Sequence, residues 1–279
     1  MNTNKLVMPV VKWVGGKRQL LDALAPLLPQ QTFKTYCEPF IGGGALLFCR
    51  QPSQAIANDI NFELINMYNV IRDEVEALID ELGKYNNTSD CFYQVRDWDR
   101  NREYYAELSN VQKASRVIYL NKTCYNGLFR VNNAGEFNTP FGNYKNPNIV
   151  NAPVLRAVSE YFRSAKITFS CRDYAEVLQE LPRNSFVYLD PPYDPVSDTA
   201  NFTGYNAGGF NRNEQIRLRE CCEDLNRRGI KFMLSNSATD FIREQYNGYN
   251  IITVKAKRAI NSVGSGRGQV DEVVVRNYE

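Results

Sequence analysis

The chain has 279 residues, 43% of them hydrophobic and 23% charged, with a net charge of +2 and no histidine. That length accommodates one large domain or a core with a smaller insert, and the near-balanced charge is too small to signal a polyanionic partner by itself. The missing histidine excludes a Ser-His-Asp triad, a Cys-His pair and any histidine metal site. Seven cysteines, odd in number and without a C-x-x-C pair, read as reduced packing residues rather than disulfides or zinc ligands. The amino end has only a short apolar stretch, Leu6 to Val11, broken by Pro9. With no long apolar run elsewhere, the expectation is a cytoplasmic protein with no membrane span and no metal.

In chain order, the first notable cluster is Gly15-Gly16-Lys17-Arg18, which lacks the GxxxxGK[ST] spacing of a phosphate loop. Thr35 to Gly44 (TYCEPFIGGG) predicts a short strand and a glycine turn opening a helix through Ala45 to Phe48. Glycine permits tight turns and close backbone approach, so this unit begins a dinucleotide-like cofactor site. The next strand, Gln54 to Ala57, ends in Asn58-Asp59, about 15 residues beyond the glycines, where such folds put an acid that grips ribose hydroxyls. Asp59 also reads as a helix N-cap ahead of Phe62. Leu64, Tyr68, Ile71, Val75, Leu78 and Leu82 then recur at helical spacing, with Gly83 as a cap, and Gln112 to Asn121 is helical too. From Tyr125 to Tyr144 the composition turns to Gly, Asn and aromatics, with Asn132 to Gly135 as a hairpin turn. Residues 62–153 therefore read as an inserted helical module carrying that hairpin, and residues 1–61 and 154–279 as the catalytic domain.

Further strands are expected at Lys166 to Ser170, Ser185 to Leu189, Ile230 to Ser235, Ile251 to Lys255 and Val270 to Arg276, giving a parallel or mixed α/β sheet. Asp173 reads as the N-cap of the helix through Ala175 to Leu178, or with Tyr174 as a contact to a cofactor base. Ser185 to Leu189 (SFVYL) is apolar enough to be buried on both faces, so the following Asp190-Pro191-Pro192-Tyr193 falls at a strand's carboxyl end, where open α/β sheets place ligands. The prolines fix φ, remove two amide donors and leave carbonyls held rigidly beside one carboxylate. This is a set of acceptors followed by an aromatic face, suited to the two N–H donors and flat ring of adenine or cytosine; the plainer reading is an ordinary turn. Asp194 to Phe210, with Gly204, Gly208 and Gly209, is a candidate closing segment. Basic residues recur at Arg116, Lys122, Arg130 and Lys145, at Arg212, Arg217, Arg219, Arg227 and Arg228, and at Lys255, Lys257, Arg258 and Arg267. Each cluster is either a solvated face or part of a nucleic-acid footprint.

Lys12 to Lys17 (KWVGGK), Glu38 to Gly44 (EPFIGGG), Asn58 to Asn61 (NDIN), Tyr125 to Arg130 (YNGLFR), Gly135 to Gly142 (GEFNTPFG), Asp190 to Tyr193 and Thr199 to Thr203 (TANFT) together resemble the Dam-type DNA N6-adenine methyltransferases, over nearly the whole chain. The resemblance implies a Rossmann-like S-adenosylmethionine-dependent methyltransferase sheet with an inserted helical DNA-recognition domain carrying a β-hairpin. It implies methyl transfer from S-adenosylmethionine to adenine N6 in double-stranded DNA, at GATC, by a monomer. Asp190, Pro191, Pro192 and Tyr193 would be catalytic. Trp13, Lys17, Phe40, Gly42, Gly44, Asp59, Asp173, Tyr174 and Asp190 would meet the cofactor. Lys12, Tyr125, Asn126, Leu128, Arg130 and Pro140 would meet DNA, with Arg130 reading a guanine and Tyr125 wedging into the base stack. Family hairpins often carry more basic residues than Asn132-Asn133-Ala134 supplies. The alternatives are a methyltransferase for cytosine N4 or RNA adenine, and a catalytically silent DNA-binding homologue.

Overall fold

The computed structural model describes residues 3–196, 209–257 and 269–279. Its seven-stranded mixed sheet consists of β1 (Thr35–Glu38), β2 (Gln54–Asn58), β3 (Lys166–Ser170), β4 (Ser185–Leu189), β5 (Lys231–Ser237), β6 (Asn250–Lys257) and β7 (Gln269–Arg276). The strand order is β3-β2-β1-β4-β5-β7-β6. β1 pairs in parallel with β2 and β4, β4 does so with β5, and β7 is antiparallel to β5 and β6. The helices are α1 (Leu21–Leu24), α2 (Ala45–Arg50), α3 (Phe62–Asp73), α4 (Val75–Leu82), α5 (Ser89–Arg96), α6 (Arg102–Glu107), α7 (Asn110–Thr123), α8 (Ala152–Ser164), α9 (Tyr174–Gln179), α10 (Arg212–Arg227) and α11 (Asp240–Gln245). The expected Rossmann-like α/β architecture is borne out. Because β2 lies to one side of β1 and β4 to the other, strand order reverses between β1 and β4, the switch point where ligand crevices open in such sheets.

By compactness the chain divides into two units, residues 1–16, 41–53 and 58–171, and residues 17–40, 54–57 and 172–279. The stretch expected as an insertion, 62–153, lies wholly within the first. There α3 and α4 each pack on α7 and α8, burying Leu64, Met67, Ile71, Leu78, Leu82, Ile118, Val158 and Phe162. The apolar spacing from Leu64 to Leu82 forms two helices rather than one. Glu74, at φ −133° and ψ 38°, ends α3 and precedes α4, while Val75 stays buried, so the side-chain pattern runs through a backbone break. Gly83 closes α4 in a right-handed conformation. The Asn61 side chain, not Asp59, caps α3 by accepting the Leu64 N–H, and Ser109 with Gln112 forms a capping box on α7.

The reversal at Asn132 to Gly135 forms as expected, with Gly135 at φ +83° and Asn138 N–H donating to Arg130 O at 2.9 Å. It is a hairpin without extended strands: Val131 with Phe137 and Cys124 with Phe141 are isolated bridges. The cross-hairpin bonds are made by the flanking Asn132 and Asn138 amides, so the Phe137 N–H faces outward, where it donates to the Asp99 carboxylate at 2.7 Å.

The second unit is built on β4, whose five residues are all buried. Val187, Leu189, Leu218, Leu225, Phe232, Leu234, Val273 and Val275 form its core, each such side chain contributing about 1.5–3 kcal/mol by burial. Thr199 to Thr203, Gly204 and Gly208 of the candidate closing segment, and Arg258 and Arg267, lie outside the described residues.

Candidate active site

In the second unit, the residues after β4 form a turn pinned along its length. Asp190 Oδ1 lies 2.9 Å from Lys17 Nζ, both side chains being largely buried at 19% and 7% exposure. Gln215, buried on α10, donates to Pro192 O at 2.8 Å and accepts from the Asn236 amide at 3.0 Å. Tyr193 donates its hydroxyl to Glu272 Oε2 on β7 at 2.8 Å, and the Lys17 ammonium sits 4.4 Å from the centroid of its ring. Asp194 is buried at the end of the turn; its N–H donates to Asn236 Oδ1, and its carboxylate accepts from Thr239 Oγ1 at 2.8 Å. Gln215, Asn236 and Glu272 belong to no motif singled out from the sequence. Only the folded sheet brings them to the turn.

Burial pushes the Asp190 carboxyl up to about 6; Lys17 opposes that rise and the charge of Glu272 adds to it. The group is thus ionised at neutral pH and protonated in mild acid. Phe40, just past β1, packs on Tyr174 and Phe210 with ring centroids 5.0 and 5.8 Å away. Tyr174 is buried, with its hydroxyl donating to Glu214 at 3.1 Å. Asp173 caps α9 through the Ala175 N–H at 2.9 Å, as expected, and also takes two hydrogen bonds from Arg217, at 2.7 and 2.9 Å.

In the first unit the glycine turn and Asp59 meet. Gly42 and Gly44 have φ of +47° and +67°, which glycine adopts without strain. A Cβ at Gly42 would lie 2.9 Å from Trp13 Cδ1, so the turn approaches the indole as closely as a residue without a side chain can. Trp13 stacks on Phe129 with centroids 4.8 Å apart, which occupies one face of the ring expected to meet a sulfonium. Asp59 accepts Gly42 N–H through Oδ2 and Asn61 N–H through Oδ1, both at 3.0 Å. Desolvation raises its pKa and those two amides oppose the rise. Here the acid joins strand end to glycine turn.

The residues expected on DNA also lie in the first unit. Lys12 is exposed, and its backbone is clamped by Asn121, which accepts the Lys12 N–H at 2.8 Å and donates to the carbonyls of Lys12 (2.7 Å) and Gly127 (3.0 Å). Tyr125, Asn126, Arg130 and Pro140 are exposed and Leu128 is half-buried. Asn126 takes φ +57°, and its N–H donates to the Tyr144 hydroxyl at 2.9 Å, a support that sequence reading missed. Tyr125 N–H donates to Pro140 O at 2.8 Å, joining the two sides of the hairpin base. Arg130 Nε donates to Asn138 Oδ1 at 2.7 Å. Arg116 is a correction to the basic footprint: it is buried and paired with Asp99 at 2.6 Å. In the second unit, Arg212, Arg217, Arg219, Arg227 and Arg228 are each paired with an acid, which offsets their charge toward a phosphate backbone.

Among the described residues no group of three or more Cys, Asp or Glu is placed to hold a metal ion, and no helix is long and apolar enough to cross a membrane. All seven cysteines are free. Residues 13–260 match the family described as D12 class N6 adenine-specific DNA methyltransferase. The chain is 39% identical to the Type II methyltransferase M1.LlaDCHI of Lactococcus lactis subsp. cremoris, covering 100% of this chain and 98% of that one. It is 40% identical to the Type II methyltransferase M.MjaIII of Methanocaldococcus jannaschii (98% and 99%), and 36% identical to the DNA adenine methylase of Escherichia coli K12 (95% and 93%).

Proposed function

Because the chain belongs to the D12 class of N6 adenine-specific DNA methyltransferases, we propose that it moves the methyl group of S-adenosylmethionine to N6 of an adenine flipped out of duplex DNA, within GATC. The observation that carries this reading is Asp190, a largely buried acid at the carboxyl end of a central strand, ionised above about pH 6 and followed by a rigid turn and a fixed tyrosine. When bound, S-adenosylmethionine supplies an electrophilic methyl on a sulfonium.

The residues present fit that cofactor. Each Asp59 oxygen accepts one amide and keeps a lone pair, so the carboxylate can take ribose hydroxyls without losing its place. The positive φ of Gly42 and Gly44 makes the tight turn that presents the Gly42 amide to Asp59. The adenine amine is a weak nucleophile because its lone pair is delocalised into the ring. Asp190 accepts one of its N–H bonds. A carbonyl in the proline turn accepts the other. Held by both, the nitrogen becomes pyramidal and its lone pair turns toward the methyl carbon; Tyr193 stacks on the base. Orientation of this kind replaces about 7–11 kcal/mol of barrier in favourable cases. In this transfer the N–C bond would form as the sulfonium S–C bond breaks, its electron pair staying on sulfur as a neutral thioether, and the surplus amine proton would lie in hydrogen-bond contact with Asp190, the group placed to take it.

Asp190→Ala is expected to abolish methyl transfer to plasmid DNA, measured with labelled S-adenosylmethionine, while gel-shift affinity for DNA is kept; near-normal turnover would remove Asp190 from its role. Arg130→Ala is expected to lose about 1–3 kcal/mol and to relax selection at one base pair, read by sequencing the modified sites. A uniform loss on all sequences would make Arg130 a phosphate contact instead.

A further inference from the structure

Glu272 lies far in sequence from every motif discussed above. It is 9% exposed, on β7 opposite Ser237 of β5 and Val254 of β6. Its Oε2 accepts the Tyr193 hydroxyl at 2.8 Å. Tyr193 is therefore fixed at two points, by Glu272 at the hydroxyl and by the Lys17 ammonium 4.4 Å from the ring centroid. The same ammonium lies 2.9 Å from Asp190. Lys17, Asp190, Tyr193 and Glu272 thus form one cluster of a cation, two acids and a phenol.

We propose that Glu272 is a positioning residue for methyl transfer, acting through Tyr193 by anchoring the ring that stacks on the target base and through Asp190 by opposing the field of Lys17. The inference rests on the reaction proposed above. A hydroxyl anchored to a strand cannot follow the side-chain rotations a free tyrosine makes, so the stacking plane is set before the base arrives. Among the described residues, the charged groups that act on Asp190 are Lys17 and Glu272, while the charge of Asp190 itself raises the neighbouring phenols of Tyr188 and Tyr193. Lys17 is the cation of the set and Glu272 the second acid, so removing the charge of Glu272 leaves the cation unopposed and favours the ionised form of Asp190.

Two variants separate the two roles. Glu272→Gln keeps an acceptor for the hydroxyl and removes the charge. Its kcat at pH 8 is expected to stay within about threefold of wild type, while the acidic limb of kcat/KM moves down by roughly half a pH unit. Glu272→Ala removes the anchor as well, and its kcat is expected to fall on the order of 10- to 100-fold with KM for DNA little changed. A 13C titration of the labelled Asp190 carboxyl in wild type and Glu272→Gln reads the same electrostatic effect without turnover, with the midpoint expected to fall in the variant. That separates failure of this proposal from failure of the proposed reaction: an inactive wild type refutes the reaction, whereas an unmoved Asp190 midpoint refutes the electrostatic role of Glu272. A Glu272→Ala protein with wild-type melting temperature and wild-type kcat overturns the anchoring role. If Glu272→Ala does not fold, Tyr193→Phe tests the same anchor by removing the hydroxyl, and wild-type kcat in that variant overturns it.

Discussion

In the first unit the half-buried acid Asp59 is held by two main-chain amides, whereas in the second the largely buried acid Asp190 faces the side-chain ammonium of Lys17. Desolvation raises both. The amides at Asp59 come from the glycine turn and the start of α3, so its setting persists as long as the local backbone does, and this suits a group that binds and does not react. Asp190 owes its ionisation to one neighbour that a single substitution removes, and this suits a group whose proton affinity has to match a reaction. A fixed acid and an adjustable one thus occupy a cofactor role and a catalytic role in the proposed mechanism.

The contrast can be sharpened or broken by substitution. Lys17→Met is expected to have the largest effect. Because the carboxylate is the working form, activity falls as pH drops through about 6 in wild type. Without the cation the Asp190 pKa rises, so the acidic limb moves to higher pH. Removing one partner of a buried pair costs the fold about 3–5 kcal/mol, read in urea unfolding, and turnover at pH 7 falls with the ionised fraction of Asp190. Asp59→Ala is expected to weaken S-adenosylmethionine binding about 10- to 100-fold by calorimetry, through loss of charged hydrogen bonds, and to leave the acidic limb of the variant where it was. If that limb moves as it does in Lys17→Met, the division between a fixed and an adjustable acid fails. Gly42→Ala carries the smallest expected effect, a loss of about 1–2 kcal/mol in urea unfolding from a left-handed alanine, with the new methyl pressing on Trp13. An unchanged midpoint would mean that the turn yields more easily than its contact with the indole suggests.

Much of this was readable from the chain. β3 and β4 begin and end where alternation and apolar runs put them, and the other five strands agree within a few residues, because strand burial is written in consecutive side chains. Asp190 to Tyr193 was legible since proline and a strand end constrain their own surroundings. The break at Glu74 was not, because Val75 and Leu78 continue the buried stripe whatever the backbone does between them. The hairpin's turn chemistry could be read and the anchoring of its second arm could not, since the acceptor, Asp99, is far away in sequence. Glu272 and Gln215 escaped for the same reason: each serves the turn from another element, across a distance that local pattern does not encode. Asp59 was recognised as important but given the wrong structural partner, because Asn61 competes for the same helix end.

Both tryptophans, Trp13 against Phe129 and Trp98 beside Tyr85 and Tyr104, belong to the first unit. Indole emission therefore watches that unit alone, and the other is optically silent except through its tyrosines. In a Trp98→Phe background, a cofactor titration followed at the red edge of excitation would report on the surroundings of the glycine turn through Trp13, and a denaturation in which phenol and indole signals part company would show the two halves melting separately.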